Sequence, residues 1–291
     1  MNSLQKNIKL IECPRDAMQG LHDFIPTQLK AEYINMLLGV GFDTLDFGSF
    51  VSPKAIPQMK DTAEVLSMLD LSSTKTKLLA IIANQRGAED AVQHAAISYL
   101  GFPFSVSETF QLRNTNSTIA QSFDTVKRIQ ELCVKNGKTL VIYISMGFGN
   151  PYGDPWNTEI VGQWTDKMIQ EGIHIISLAD TVGMAKKEDI SYLFSELIPA
   201  YPNIEFGAHL HVTPQAWEEK LNAAAEHGCT RFDMAIRGFG GCPMAEDRLT
   251  GNLATENAVQ YFLKNNYHLT IDREKLNECI LFSNRIFYVA D

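Results

Sequence analysis

The chain has 291 residues, 45% hydrophobic and 20% charged, a composition that suits a globular protein and a length that suits one (β/α)8 barrel. Its formal net charge of −9 argues against a nucleic-acid surface, which is normally basic, and no apolar run reaches the roughly 20 residues that cross a bilayer. Met1–Lys6 lacks the apolar stretch of a signal peptide, so the expected location is cytoplasmic, without nucleic-acid or membrane partners. Five cysteines (Cys13, Cys133, Cys229, Cys242 and Cys279) form no C-x-x-C pair, which speaks against a disulfide framework or a structural zinc site.

Short apolar, β-branched runs predict strands at Ile8–Glu12, Thr44–Phe47, Lys77–Ala83, Tyr99–Val106, Thr139–Ser145, His174–Ala179, Ile204–Val212 and Arg231–Ile236. Runs such as Leu78-Leu79-Ala80-Ile81-Ile82 suit strands buried on both faces of a parallel sheet. Helical periodicity is clearest at Leu29–Leu38, Ala88–Ile97, Ile119–Val134, Lys187–Leu197, Trp217–His227 and Glu256–Leu263, and Arg273–Phe287 reads as an extra helix after the eighth unit. This alternation predicts an α/β fold, a TIM barrel with an added C-terminal helix: residues 1–291 as one catalytic domain, with 265–291 as its helical extension. An open doubly wound sheet is the alternative, but no G-x-G-x-x-G follows the first strand.

Barrel chemistry sits at the C-terminal ends of the strands. Asp16 follows the first predicted strand, His209 and His211 share a face of the seventh, and Cys242 and Asn252 lie in the long loop after the eighth. Barrel closure makes these segments neighbours. Two imidazoles, a carboxylate and a carboxamide leave room for further oxygen ligands, which favours Mg²⁺ or Mn²⁺; a two-histidine, one-carboxylate iron site is the rival. Arg15 fits either a plain salt bridge or a fixed cation beside an enolate oxygen. Cys242, within Gly240-Gly241-Cys242-Pro243, fits a surface turn or a loop carrying a proton donor. Asp180 is either a helix N-cap or an inward carboxylate, and Asp46 and Tyr143 are either rim packing or substrate contacts.

Several segments resemble the 3-hydroxy-3-methylglutaryl-CoA lyase family in order along the chain. They are Pro14-Arg15-Asp16-Ala17-Met18-Gln19, Ser49-Phe50-Val51-Ser52-Pro53-Lys54 with Pro57-Gln58-Met59, Ser177-Leu178-Ala179-Asp180-Thr181-Val182-Gly183, Gly238-Phe239-Gly240-Gly241-Cys242-Pro243 and Gly251-Asn252-Leu253-Ala254-Thr255-Glu256. The resemblance implies a metal-dependent lyase on a TIM barrel that cleaves 3-hydroxy-3-methylglutaryl-CoA to acetyl-CoA and acetoacetate. It implies Asp16, His209, His211 and Asn252 as metal ligands, Arg15 as stabiliser of the thioester enolate and Cys242 as its proton donor. It also implies Gln19, Asp46, Ser49, Tyr143 and Asp180 around an acyl-CoA substrate, and a homodimer. The chain departs from the family pattern at Val212, where the family has Asp, at Asp46, where it usually has Glu, at Gly20-Leu21-His22, where it has N-E-K, and at Glu246-Asp247-Arg248. The alternatives are a related aldolase or synthase, or a barrel that binds without catalysis.

Overall fold

A computed structural model describes residues 7–241 and 250–287. Eight parallel strands close on themselves: β1 (Lys9–Glu12), β2 (Thr44–Ser49), β3 (Lys77–Ile81), β4 (Ile97–Ser105), β5 (Thr139–Ser145), β6 (Ile175–Asp180), β7 (Glu205–Val212) and β8 (Arg231–Met234). Closure is made by the β1–β8 pairing, with Leu10 opposite Phe232 and Ile11 opposite Asp233. The expected TIM barrel is therefore present. A ninth strand, β9 (Gly251–Asn252), runs antiparallel to β7 and sets Asn252 opposite His211.

Alternation along the strands divides the core. Leu79, Tyr99, Val141, Tyr143 and Ile175 pack together inside the barrel, while their neighbours Leu78, Leu100, Leu140, Ile142 and Ile176 pack outward under the helices. The helices are α1 (Pro14–Gln19), α2 (Thr27–Leu38), α3 (Thr62–Ser67), α4 (Gln85–Val92), α5 (Glu108–Thr115), α6 (Ile119–Lys135), α7 (Thr158–Gln170), α8 (Lys187–Ala200), α9 (Trp217–Glu226), α10 (Thr255–Lys264) and α11 (Arg273–Phe282). Helix α6 shows why they form. Thr118 and Gln121 make a capping box, and Ser122, Val126, Ile129 and Cys133 face inward at helical spacing.

The helix expected at Ala88–Ile97 ends at Val92, because Ile97 begins β4 and is fully buried in the sheet. The helix expected at Arg273–Phe287 stops at Phe282 and continues as a tight 3-10 turn over Ser283–Arg285. Helix α7 was absent from the clearest periodic segments, although Val161, Thr165 and Met168 define its buried stripe. Among the described residues no helix is long and apolar enough to cross a membrane.

Candidate active site

The C-terminal ends of β1, β2 and β7 surround a cavity of about 420 Å³ lined by Arg15, Asp16, Gln19, Asp46, Ser49, Tyr143, His209 and His211, among others. Its polar corner is built from the imidazoles outward. The Nε2 atoms of His209 and His211 face each other at 3.2 Å. Their opposite nitrogens are held from behind, His209 Nδ1 by Asp233 Oδ2 at 3.1 Å and His211 Nδ1 by the Thr181 carbonyl at 2.8 Å. If each Nδ1 carries a proton to its acceptor, both Nε2 lone pairs point at one spot. An oxygen of Asp16 completes a group whose ligand atoms all lie within 4.8 Å of one another.

Asp16 is held rigidly. Oδ1 accepts from Arg15 Nη1 and Gln19 Nε2, both at 2.9 Å, and Oδ2 accepts from Asn252 Nδ2 at 2.7 Å. Three of about four lone-pair positions are used, leaving one. Asn252 donates its second N–H to the Phe239 carbonyl at 2.8 Å, so among the described residues its uncommitted side-chain atom is the carbonyl oxygen. Gly240 is required here: its φ is +101°, and a Cβ would lie 2.6 Å from Asn252 Nδ2. These donors fit a hard divalent cation. The 3.2 Å imidazole gap is near the edge of an octahedron with bonds of about 2.1 Å. A carboxylate and a carboxamide oxygen supply the hard ligands.

Burial and the neighbouring His209 push the His211 imidazole down to about 4, so it is neutral near pH 7. Burial also works against charge on His209, but the hydrogen bond and charge of Asp233, with Asp16, hold its pKa above the ordinary imidazole value. Burial favours the neutral form of Asp16, yet Arg15 and the two histidines keep the carboxyl below its usual range. Burial raises Asp46 to about 6 in spite of Arg15 beside it. The Arg15 fork grips Asp46 through Nε at 3.2 and 3.1 Å and Nη2 at 2.5 Å, while Nη1 takes Asp16 and Gln19. Of the five guanidinium N–H groups this leaves one, on Nη2, uncommitted among the described residues.

Ser49 and Tyr143 also line the cavity, and among the described residues their hydroxyls have no partner although both are buried. Tyr143 stands edge-on to His209 with ring centroids 5.8 Å apart. Cys242 lies outside the described residues. Asp180 is neither the N-cap of α8, a place held by Lys186, nor a wall of the cavity. Its carboxylate accepts from Lys220 Nζ at 2.6 Å and from Ala185 N at 3.0 Å, a buried pair that supports the end of β6. Asp233 and the Thr181 carbonyl were missed from the sequence. A lone Asp in a short strand has no signature, and a backbone carbonyl has none at all.

The HMGL-like family model matches residues 7–280. A hydroxymethylglutaryl-CoA lyase of Bacillus subtilis is 31% identical over 263 residues, covering 90% of this chain and 87% of its own. An (R)-citramalyl-CoA lyase of Chloroflexus aurantiacus is 30% identical over 258 residues, covering 86% and 81%. A solved HMG-CoA lyase of Acinetobacter baumannii, in complex with coenzyme A and 3-methylmalate, matches with a TM-score of 0.90 and 31% identity over 98% of this chain and 93% of that one. With likeness of sequence and of backbone extending over nearly the full length, this chain belongs to the HMGL-like family and is a carbon–carbon lyase.

Proposed function

We propose that the protein cleaves 3-hydroxy-3-methylglutaryl-CoA to acetyl-CoA and acetoacetate with a divalent cation, Mg²⁺ or Mn²⁺, held by Asp16, His209, His211 and Asn252. The observation that carries this reading is the convergence of the two Nε2 atoms and Asp16 at one corner of the cavity, beside the Arg15 fork. The chemistry such an ion supplies when bound is Lewis-acid polarisation of oxygen, which makes a hydroxyl easier to deprotonate. Loss of the tertiary hydroxyl proton allows the adjacent C–C bond to break, with acetoacetate leaving as the ketone and the electron pair passing into the thioester enolate. Arg15 is a fixed cation at the cavity edge, with one free N–H to donate to that enolate oxygen. The Thr181 carbonyl and Asp233 hold His211 and His209 from behind, each in one orientation. By resemblance Cys242 returns a proton to the enolate carbon.

A second reading has a specific basis. The similarity to a citramalyl-CoA lyase, with the shorter Asp46 and apolar Val212, favours a related hydroxy-dicarboxylic acyl-CoA as substrate. Both readings are tested with purified protein and Mg²⁺, Mn²⁺ or EDTA. Metal-dependent release of acetyl-CoA and acetoacetate from 3-hydroxy-3-methylglutaryl-CoA supports the first. Turnover of (R)-citramalyl-CoA alone moves the assignment to the second. For the first reading, Cys242→Ala is expected to lower turnover by about 10²–10⁴-fold with metal binding unchanged, and full activity would reject the proton-donor role.

A further inference from the structure

Behind His209, on the side away from His211, lies a second set of donor atoms. Strands β1, β7 and β8 are neighbours, with His209 opposite Asp233 and Ile11 opposite Asp233 in register. Just beyond β1, Cys13 N donates to the Met234 carbonyl at 2.8 Å, which fixes this residue against the end of β8. The Cys13 thiol, a nitrogen of His209 and a carboxylate oxygen of Asp233 all lie within 4.8 Å of one another. Cys13 is 1% exposed, and among the described residues its thiol makes one hydrogen bond, a long 3.7 Å contact to the Ile11 carbonyl. Asp233 is 2% exposed, and its Oδ1 has no partner among the described residues.

We infer that Cys13, His209 and Asp233 form a thiophilic metal site whose occupation by a soft divalent ion such as Zn²⁺ or Cd²⁺ competes with the first site through the shared imidazole. Sulfur, imidazole nitrogen and carboxylate oxygen are the donor types that hold zinc-like ions, whereas Mg²⁺ avoids sulfur. Burial first, and then the negative charge of Asp233, Asp46 and Asp16, keep the thiol protonated against the opposing pull of Arg15, and the same carboxylates draw a cation to the spot. Binding releases the thiol proton to solvent, as thiolate coordination requires. Competition follows from the tautomer. A neutral imidazole has one lone pair. With its Nδ1–H donated to Asp233, His209 offers Nε2 to the first site; an ion on Nδ1 takes that lone pair and moves the proton to Nε2. The two ring nitrogens thus belong to two mutually exclusive occupancies.

The test titrates reduced, EDTA-treated protein with Cd²⁺ and follows the ultraviolet thiolate-to-metal charge-transfer absorption in wild type, Cys13→Ala and Cys242→Ala, with Cys13→Ser as the more conservative variant should Cys13→Ala fold poorly. The expected result is a band of one equivalent in wild type and Cys242→Ala that is lost when Cys13 is replaced. Mn²⁺ affinity should fall about tenfold or more in Cd²⁺-loaded wild type and stay unchanged in the Cys13 variants. No band in wild type, or a band that vanishes with Cys242 and survives replacement of Cys13, overturns the site. An unaltered Mn²⁺ affinity in Cd²⁺-loaded wild type overturns the competition. These readouts need no turnover, so they stand whichever substrate the enzyme takes.

Discussion

The two ends of the barrel both bury charge, and they do so to different ends. At the N-terminal end, fully buried Arg231 reaches Glu205 at 3.0 Å, and Lys9 reaches the other oxygen of the same carboxylate at 2.5 Å. One carboxylate there is gripped from both sides by cations; Arg231 Nε and Nη2 have no hydrogen-bond partner among the described residues, and the guanidinium stands 5.9 Å from the Tyr99 ring centre. At the C-terminal end two imidazole nitrogens stand 3.2 Å apart with a carboxylate held close by, and with a proton on each Nδ1 both present a lone pair to one spot. Buried charge by itself therefore says little about function. Convergent lone pairs, each fixed from behind, are what set one end apart as the place for chemistry.

A matched pair of substitutions breaks the comparison most sharply. Arg15→Lys loses the fork that grips Asp46 and Asp16 and is expected to lower kcat by about 10²–10³. Arg231→Met leaves Glu205 with Lys9 alone; it should cost about 3 kcal/mol of stability while kcat stays within a factor of a few. Steady-state kinetics and thermal melts on both variants decide the matter, and a collapse of kcat in Arg231→Met would erase the division between the ends. Next in size, Asp233→Asn frees the His209 tautomer and should weaken Mn²⁺ binding about 10–100-fold by calorimetry, with His211 untouched; unaltered affinity would remove Asp233 from the site.

The smallest effect concerns a third kind of buried charge. Glu12, fully buried, accepts from Ile236 N at 2.9 Å and Thr255 Oγ1 at 2.5 Å, and burial pushes its carboxyl from 4.5 up to about 8. The folded state then holds the proton more tightly than the unfolded chain, so this group's contribution to stability falls as pH rises from about 5 to about 8 and is level above that. Glu12→Gln mimics the protonated form. Its melting temperature should gain on wild type by a few degrees between those pH values, and parallel profiles would contradict the assignment.

Much of this was legible in the sequence. The closed barrel followed from the alternation of buried apolar runs with helical segments, and the His209–His211 pair from a spacing of two on a strand. The four suspected ligands do come together, because closure sets β1 beside β8 and β9 beside β7. The rest depends on contacts between residues distant in sequence. Asp180 sits in a motif that resembles a substrate contact, yet Lys220, 40 positions on, claims its carboxylate. Asp233 supports His209 across 24 positions, with no local pattern to announce it. The boundary at Val92 was missed because the apolar residues of the following strand extend the helical pattern.

The Asn252–Asp16 hydrogen bond spans 236 positions, and the Glu12–Ile236 bond spans 224. Contacts of such separation form late, since the longest loops must close before they are rewarded. During synthesis the first of these carboxylates leaves the ribosome with the first strand, and its carboxamide partner follows only near the end. A nascent chain, a truncated product or an arrested folding intermediate thus carries part of the ligand set without the place it defines. On the proposed ligand set, capture of a hard cation would report that the barrel has closed.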